Sequence, residues 1–287
     1  MEEITVKMLD KGDSVGITAC SNALSKEYEE TIKELDYSLY DVGLKMADCS
    51  YIYGEKTAKE KAKQLNLLFA NPDIKAIYDV SGGDAANELL PYLDYDLIGD
   101  TDKIFHGYSD LTTIINSIYA KTDKVGCLYD VRNLIFEYRE RQMADFVMTV
   151  MSDEDDLWNI ECEFVQGERM KGIVVGGNAR CFLKLAGTEY MPNLKHKILL
   201  LESRSGNAVK VRSYFTQLAQ MGVFKEVEGV LLGTFLEMEK EGIISASDML
   251  KEICGNKNLP IAITNDVGHR SDSKAVYIGR ELELPMR

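Results

Sequence analysis

Short apolar runs that break at glycine alternate along this chain with stretches whose apolar residues recur every three or four positions, a strand-then-helix rhythm. Residues 14–19 (Ser-Val-Gly-Ile-Thr-Ala) are β-prone, and Tyr28, Ile32, Leu35 and Leu39 follow at helical spacing with charges between them. A second short strand is predicted at Leu44 to Ala47. Thr57 and Glu60 then form a capping box ahead of the helix carrying Ala62, Leu65 and Leu68. The run from Ile74 to Val80 ends in Ser81-Gly82-Gly83-Asp84, and Ala85 to Leu90 reads as a helix stopped by Pro91. The run Lys103 to His106 breaks at Gly107-Tyr108-Ser109 and restarts as a helix from Asp110 to Ala120. At least four strand-helix repeats in about 120 residues predict a parallel sheet covered on both faces, whose ligands bind at the carboxyl ends of the strands.

The pattern loosens between Arg132 and Arg169, where a helix leads to Met151 and an acidic turn, Asp153 to Asp156, precedes Trp158. It resumes with the strand Gly172 to Asn178, a helix from Ala179 to Leu185, and Lys197-Ile198-Leu199-Leu200-Leu201-Glu202, an apolar strand ending on a carboxylate. A helix carrying Val209, Tyr214, Leu218 and Met221 follows. Then come the strand Gly229 to Gly233, a helix near Ser247 to Cys254, the strand Ile261 to Thr264, and two β runs, Ala275 to Ile278 and Glu281 to Leu284. The fold class predicted is α/β: an N-terminal three-layer parallel-sheet domain over residues 1–135, a connecting segment over 136–169, and a smaller C-terminal α/β domain over 170–287.

Composition narrows the class. A 45% hydrophobic and 28% charged share is that of a globular protein, and no apolar run approaches the roughly 20 residues needed to span a bilayer. The acidic start, Met1 to Lys7, lacks the pattern of an export signal, which predicts a cytoplasmic location. Six scattered cysteines without a C-x-x-C pair argue against a zinc knuckle or disulfide framework, so reduced, mainly buried thiols are expected, with no metal and no organic cofactor. The net charge of -14 disfavours nucleic acid and anionic lipid and points to a small-molecule partner.

The turn at Ser109 displays a hydroxyl between a strand end and helix amides, as a nucleophile requires. The same residue could simply cap the helix, and Leu111 stands where the usual Gly-x-Ser-x-Gly pattern has its second glycine. A serine nucleophile needs a base and the base an acceptor. Of three histidines, His106 lies on a buried-looking strand and His196 in a lysine-flanked loop, which leaves His269, in a polar loop after an apolar strand, as the best base. Glu202 is the acceptor best placed, at the end of its strand. Each has a plain alternative, a turn histidine and a strand-terminating acid.

With their flanks, these elements resemble the LD-carboxypeptidase family, serine peptidases that include muramoyl-tetrapeptide carboxypeptidases and the peptidases conferring immunity to microcin C. The resemblance runs through Gly12-Asp13-x-Val15-Gly16-Ile17, Ala76-Ile77-Tyr78 to Gly82-Gly83, Leu89-Leu90-Pro91, and Gly107-Tyr108-Ser109-Asp110-Leu111-Thr112. It continues in Gly176-Gly177-Asn178, Leu200-Leu201-Glu202, Gly229 to Phe235 and Gly268-His269. It implies a homodimeric serine carboxypeptidase or amidase with a Ser109-Glu202-His269 triad between two domains. The implied oxyanion hole uses the Asp110 amide and the Gly82-Gly83 turn, which is otherwise a plain tight turn. The implied substrate is a small peptide, chiefly an LD-peptide bond in peptidoglycan-derived muropeptides. Alternatives are a microcin C immunity-like peptidase cleaving aminoacyl nucleotide conjugates and, from another class, a non-catalytic protein binding peptidoglycan fragments. Ser81 and Asp84 depart from the family pattern beside the paired glycines, as does Gly126-Cys127-Leu128-Tyr129-Asp130. An acid at 84 would repel a nearby substrate carboxylate, and Arg132, Arg204 and Arg270 are either offsets to that charge or plain surface arginines.

Overall fold

The computed structural model describes residues 9–152 and 154–285; the acidic start read above and Asp153 of the acidic turn lie outside them. In chain order the elements are β1 (Ser14–Thr18), α1 (Glu29–Asp41), β2 (Lys45–Met46), α2 (Ala58–Ala70), β3 (Ile74–Asp79), α3 (Tyr95–Gly99), β4 (Phe105–Gly107), α4 (Thr112–Thr122), β5 (Gly126–Leu128) and α5 (Arg139–Ser152). There follow β6 (Glu163–Gln166), β7 (Met170–Asn178), α6 (Ala179–Leu183), β8 (Lys197–Ser203), α7 (Ala208–Gln220), β9 (Gly229–Phe235), α8 (Leu236–Glu241), α9 (Ala246–Cys254), β10 (Ile261–Ile263), β11 (Val276–Ile278) and β12 (Glu281–Leu284).

Two six-stranded sheets result, in the orders β11-β5-β4-β3-β1-β2 and β12-β7-β8-β9-β10-β6. Within each, the inner strands run parallel and the late or connecting strands β11, β12 and β6 add antiparallel edges. Strands covered on both faces need apolar residues at every position rather than alternate ones. That is why Ile198 to Leu201 on β8 are all fully buried.

Several local expectations are corrected. Pro91 does not end its helix: Ala86–Tyr92 is a 3₁₀ segment that includes it, tolerable because such short turns leave few amide bonds to lose. On α7 the core face is Val211, Phe215 and Leu218, while Val209 and Met221 are exposed, as is Tyr28 ahead of α1. Within the 136–169 stretch the expected helix forms as α5, but the stretch also supplies β6, an edge strand of the second sheet that was not expected. The chain also recrosses near its end, since β11 completes the first sheet and β12 the second. The recrossing passes Gly279 at φ +90, where a Cβ would sit 2.6 Å from the Tyr119 ring.

The site is positioned by α4. Thr112 to Tyr119 are all buried, because the helix following Ser109 is packed between its own sheet and β7 and α6 of the second. Asn116 brackets Gly176, donating to its carbonyl at 2.8 Å and accepting from its amide at 2.9 Å, and Thr112 Oγ1 accepts from the Asn178 amide at 3.0 Å.

Candidate active site

Ser109 has φ +58, a left-handed conformation that costs a non-glycine residue on the order of 1 kcal/mol and is kept where surrounding packing enforces it. Its side chain caps neither the 3₁₀ turn Ser109–Leu111 nor α4, so the plain capping alternative is not what the turn does. The turn is tight enough that a Cβ on Gly107 would lie 2.7 Å from Leu111 Cβ. Glycine is thus needed at 107, and leucine at 111 folds back over it.

Across from this turn, β8 continues one residue beyond Glu202 to Ser203, and Glu202 is buried. Its Oε2 lies 2.7 Å from His269 Nδ1, and its Oε1 accepts from Asn178 Nδ2 at 3.1 Å. A carboxylate held by two such partners fixes the imidazole with Nε2 facing away from the glutamate. His269 Nε2 is itself buried and without a partner, so no Ser109–His269 hydrogen bond is made in this structure. The His269 ring packs edge-on against Tyr108, centroids 5.0 Å apart, next to the serine in the chain. Burial and the Glu202 charge raise the Tyr108 phenol well above its ordinary pKa, keeping it protonated.

The other histidines are occupied elsewhere. His106 is buried, stacks on Tyr78 at 4.4 Å and sits with Nδ1 3.2 Å from the Ile77 carbonyl; burial lowers its pKa to about 4. His196 is exposed beside Glu228.

Asp110 supplies more than an amide. Its fully buried carboxylate accepts from Ser21 Oγ at 2.7 Å, the Ala86 amide at 2.8 Å and Lys184 Nζ at 2.6 Å. The Gly82-Gly83 turn is tied down around it: Asn22 donates its amide to the Gly82 carbonyl, Arg180 donates to the Gly83 carbonyl, and Lys184 donates to the Asp84 carbonyl at 2.7 Å. The Asp84 carboxylate is paired with Arg180, with Lys184 3.9 Å away. Its charge is therefore met from the second domain, not by the arginines considered from sequence. Arg132 makes a two-pronged pair with Asp130, and Arg270 with Asp272. Ser81 serves the frame, donating its hydroxyl to the buried Asp79 at 2.6 Å and accepting the Ser21 amide.

A cavity of about 890 Å³ opens beside this arrangement, with Tyr108, Gly268, His269, Arg132, Arg204 and Lys240 among its walls. Sequence reasoning missed Asn178 and Lys184. Asn178 lay inside a quoted motif with no charge to mark it, and Lys184 follows an unremarkable short helix.

The chain folds as a two-domain α/β protein that brings the positive-φ turn at Ser109, after a strand of the first sheet, to the same region as the carboxylate-held His269, after a strand of the second. The model of the LD-carboxypeptidase N-terminal domain matches residues 15–129, and that of the LD-carboxypeptidase C-terminal domain matches residues 171–284. The chain belongs to the LD-carboxypeptidase family and is an enzyme of the serine peptidase class. It is 29% identical over 265 residues to the Microcin C7 self-immunity protein MccF of Escherichia coli, covering 81% of this chain and 77% of that one. It is 26% identical to the probable murein peptide carboxypeptidase of Bacillus subtilis, covering 97% and 90%. Among solved structures, MccF in complex with aspartyl sulfamoyl adenosine superposes with a TM-score of 0.87 at 26% identity, over 98% of this chain and 95% of that one. The muramoyltetrapeptide carboxypeptidase of Oxalobacter formigenes shares the fold, with a TM-score of 0.76 at 19% identity, over 96% and 95%. No helix among the described residues is long and apolar enough to cross a membrane.

Proposed function

We propose that this enzyme hydrolyses an LD-peptide bond in peptidoglycan-derived muropeptides through an acyl-enzyme on Ser109. In this reading Ser109 Oγ attacks the scissile carbonyl and gives its proton to His269 Nε2, which passes it to the departing amine. Water then attacks the ester with His269 again as base, releasing the carboxylate and restoring Ser109. Glu202 holds the imidazole and offsets its charge. The Asp110 amide and an amide of the Gly82-Gly83 turn donate to the oxyanion. A cytoplasmic homodimer acting in peptidoglycan recycling completes the reading.

The observation that carries it is the pairing of His269 Nδ1 with a buried Glu202 while Nε2 is left without a partner. Such a base meets its serine once substrate closes the gap, since catalytic hydrogen bonds commonly tighten on substrate binding. Incubating wild type and Ser109→Ala with a muropeptide tetrapeptide tests it. Release of the terminal residue by wild type alone is expected, and no release by either contradicts it.

A second reading, cleavage of an aminoacyl nucleotide conjugate, is favoured by the likeness to MccF held with aspartyl sulfamoyl adenosine. Hydrolysis of that compound in preference to the tetrapeptide would select it.

A further inference from the structure

Among the described residues, four buried side-chain polar atoms have no hydrogen-bond partner: the hydroxyls of Tyr108, Ser273 and Thr234, and His269 Nε2. They are not scattered. Tyr108, His269 and Ser273 all line the one cavity, and the Thr234 amide donates to the Val267 carbonyl, immediately before the cavity residue Gly268. Elsewhere the buried polar groups are matched, as at Asp79, Asp110, Asn116 and Glu202. An unpaired buried hydroxyl weakens the fold unless something outside the fold completes it. His269 Nε2 has its role in the chemistry above; Tyr108 does not.

We infer that the Tyr108 hydroxyl is a substrate contact, donating a hydrogen bond to an acceptor oxygen of the substrate held beside His269; this rests on the peptidase reading above. Among the described residues no group pairs with the Tyr108 hydroxyl, although Tyr108 lines the cavity beside His269, so its O–H proton is free. A neutral phenol offers that proton to a carbonyl or carboxylate oxygen. The ring has a separate task, its edge-on packing against His269. Ser273 shows how the wall is kept rigid behind this contact: its amide donates to the Arg270 carbonyl at 3.1 Å and its carbonyl accepts Gln142 Nε2 at 3.2 Å.

Tyr108→Phe separates the two tasks, since it keeps the ring and removes only the hydroxyl. In a Ser109→Ala background, titration calorimetry with a muropeptide tetrapeptide and with aspartyl sulfamoyl adenosine measures the contact, and thermal melting without ligand measures the fold. Tyr108→Phe is expected to weaken the better-bound probe about tenfold while the ligand-free Tm stays level or rises. A Kd within about twofold of the parent overturns the inference, and so does a Tm loss of more than a few degrees or failure to fold, because either means the hydroxyl is already paired within the protein. Absence of binding of both probes to Ser109→Ala would instead sink the peptidase reading, and this inference with it.

Discussion

Lys184 donates to the fully buried carboxylate of Asp110 at 2.6 Å, fastening the residue that follows Ser109 to the domain that supplies Glu202 and His269. The same ammonium reaches the Asp84 carbonyl, so one side chain sets the serine turn and the paired-glycine turn together. Lys184→Met strands the Asp110 charge in the interior, and a loss of about 3 kcal/mol in urea unfolding is expected. Adding Asp110→Asn should recover much of that loss by removing the unpaired charge. A Lys184→Met protein within about 0.5 kcal/mol of wild type would show that the pair does not hold the domains.

Asn178 connects the same two regions by a second route, through its amide to Thr112 and its side chain to Glu202. Its Oδ1 also caps α6 through the Cys181 amide. Asn178→Ala should therefore destabilise by about 1 kcal/mol through the lost cap and lower kcat by about tenfold to a hundredfold through a loosened Glu202. Steady-state kinetics and denaturation on one preparation separate the two effects, and unchanged kcat would remove Asn178 from the site.

Glu202→Gln keeps the shape but not the charge that holds His269. A fall in kcat of roughly 10³ to 10⁴ with little change in KM is expected, by analogy with loss of the acid from other triads. The double variant with Ser109→Ala should be no worse than Ser109→Ala alone, because members of one catalytic unit are not additive. A Glu202→Gln enzyme within about threefold of wild type would exclude Glu202 from the triad.

His106 predicts an acid-sensitive fold. Its pKa is lowered by burial from 6.5 to about 4, so the unfolded chain binds the proton more readily. Stability is therefore fully present above about pH 6.5, falls as pH drops toward 4, and levels off below that. From pH 7 to pH 5 this one group accounts for about 2 kcal/mol. His106→Asn removes the titrating group, and urea unfolding at the two pH values should show a correspondingly smaller drop than in wild type. An equal drop in both proteins would assign the acid sensitivity elsewhere.

Much of this was legible because the signals are local. The capping box at Thr57 and Glu60 forms as read, the helical spacing of Ile32, Leu35 and Leu39 buries those residues, and the uninterrupted apolar run of β8 marks a doubly covered strand. Ser109, Glu202 and His269 could be selected because strand ends and glycine turns at a parallel sheet's carboxyl edge are where side chains face a ligand. What stayed hidden depends on distant partners. Asp84 read as an unmatched acid because Arg180 lies 96 residues away. The Asp110 side chain was passed over for its amide because Ser21, Ala86 and Lys184 meet it only in the folded chain. On α7 the helical period itself separates the faces, since at about 100° per residue Val209 stands roughly opposite Leu218, and Met221 falls just past the helix end, so the expected spacing grouped residues that do not share one face.

In the proposed mechanism Ser109 is a nucleophile activated by His269 and Glu202. Mass spectrometry after exposure to a fluorophosphonate tests it without knowledge of the substrate. A single adduct mapped to the peptide containing Ser109 is expected, absent in Ser109→Ala and formed far more slowly in Glu202→Gln. Wild type that stays unlabelled while folded, or an adduct on another residue that persists in Ser109→Ala, would contradict it.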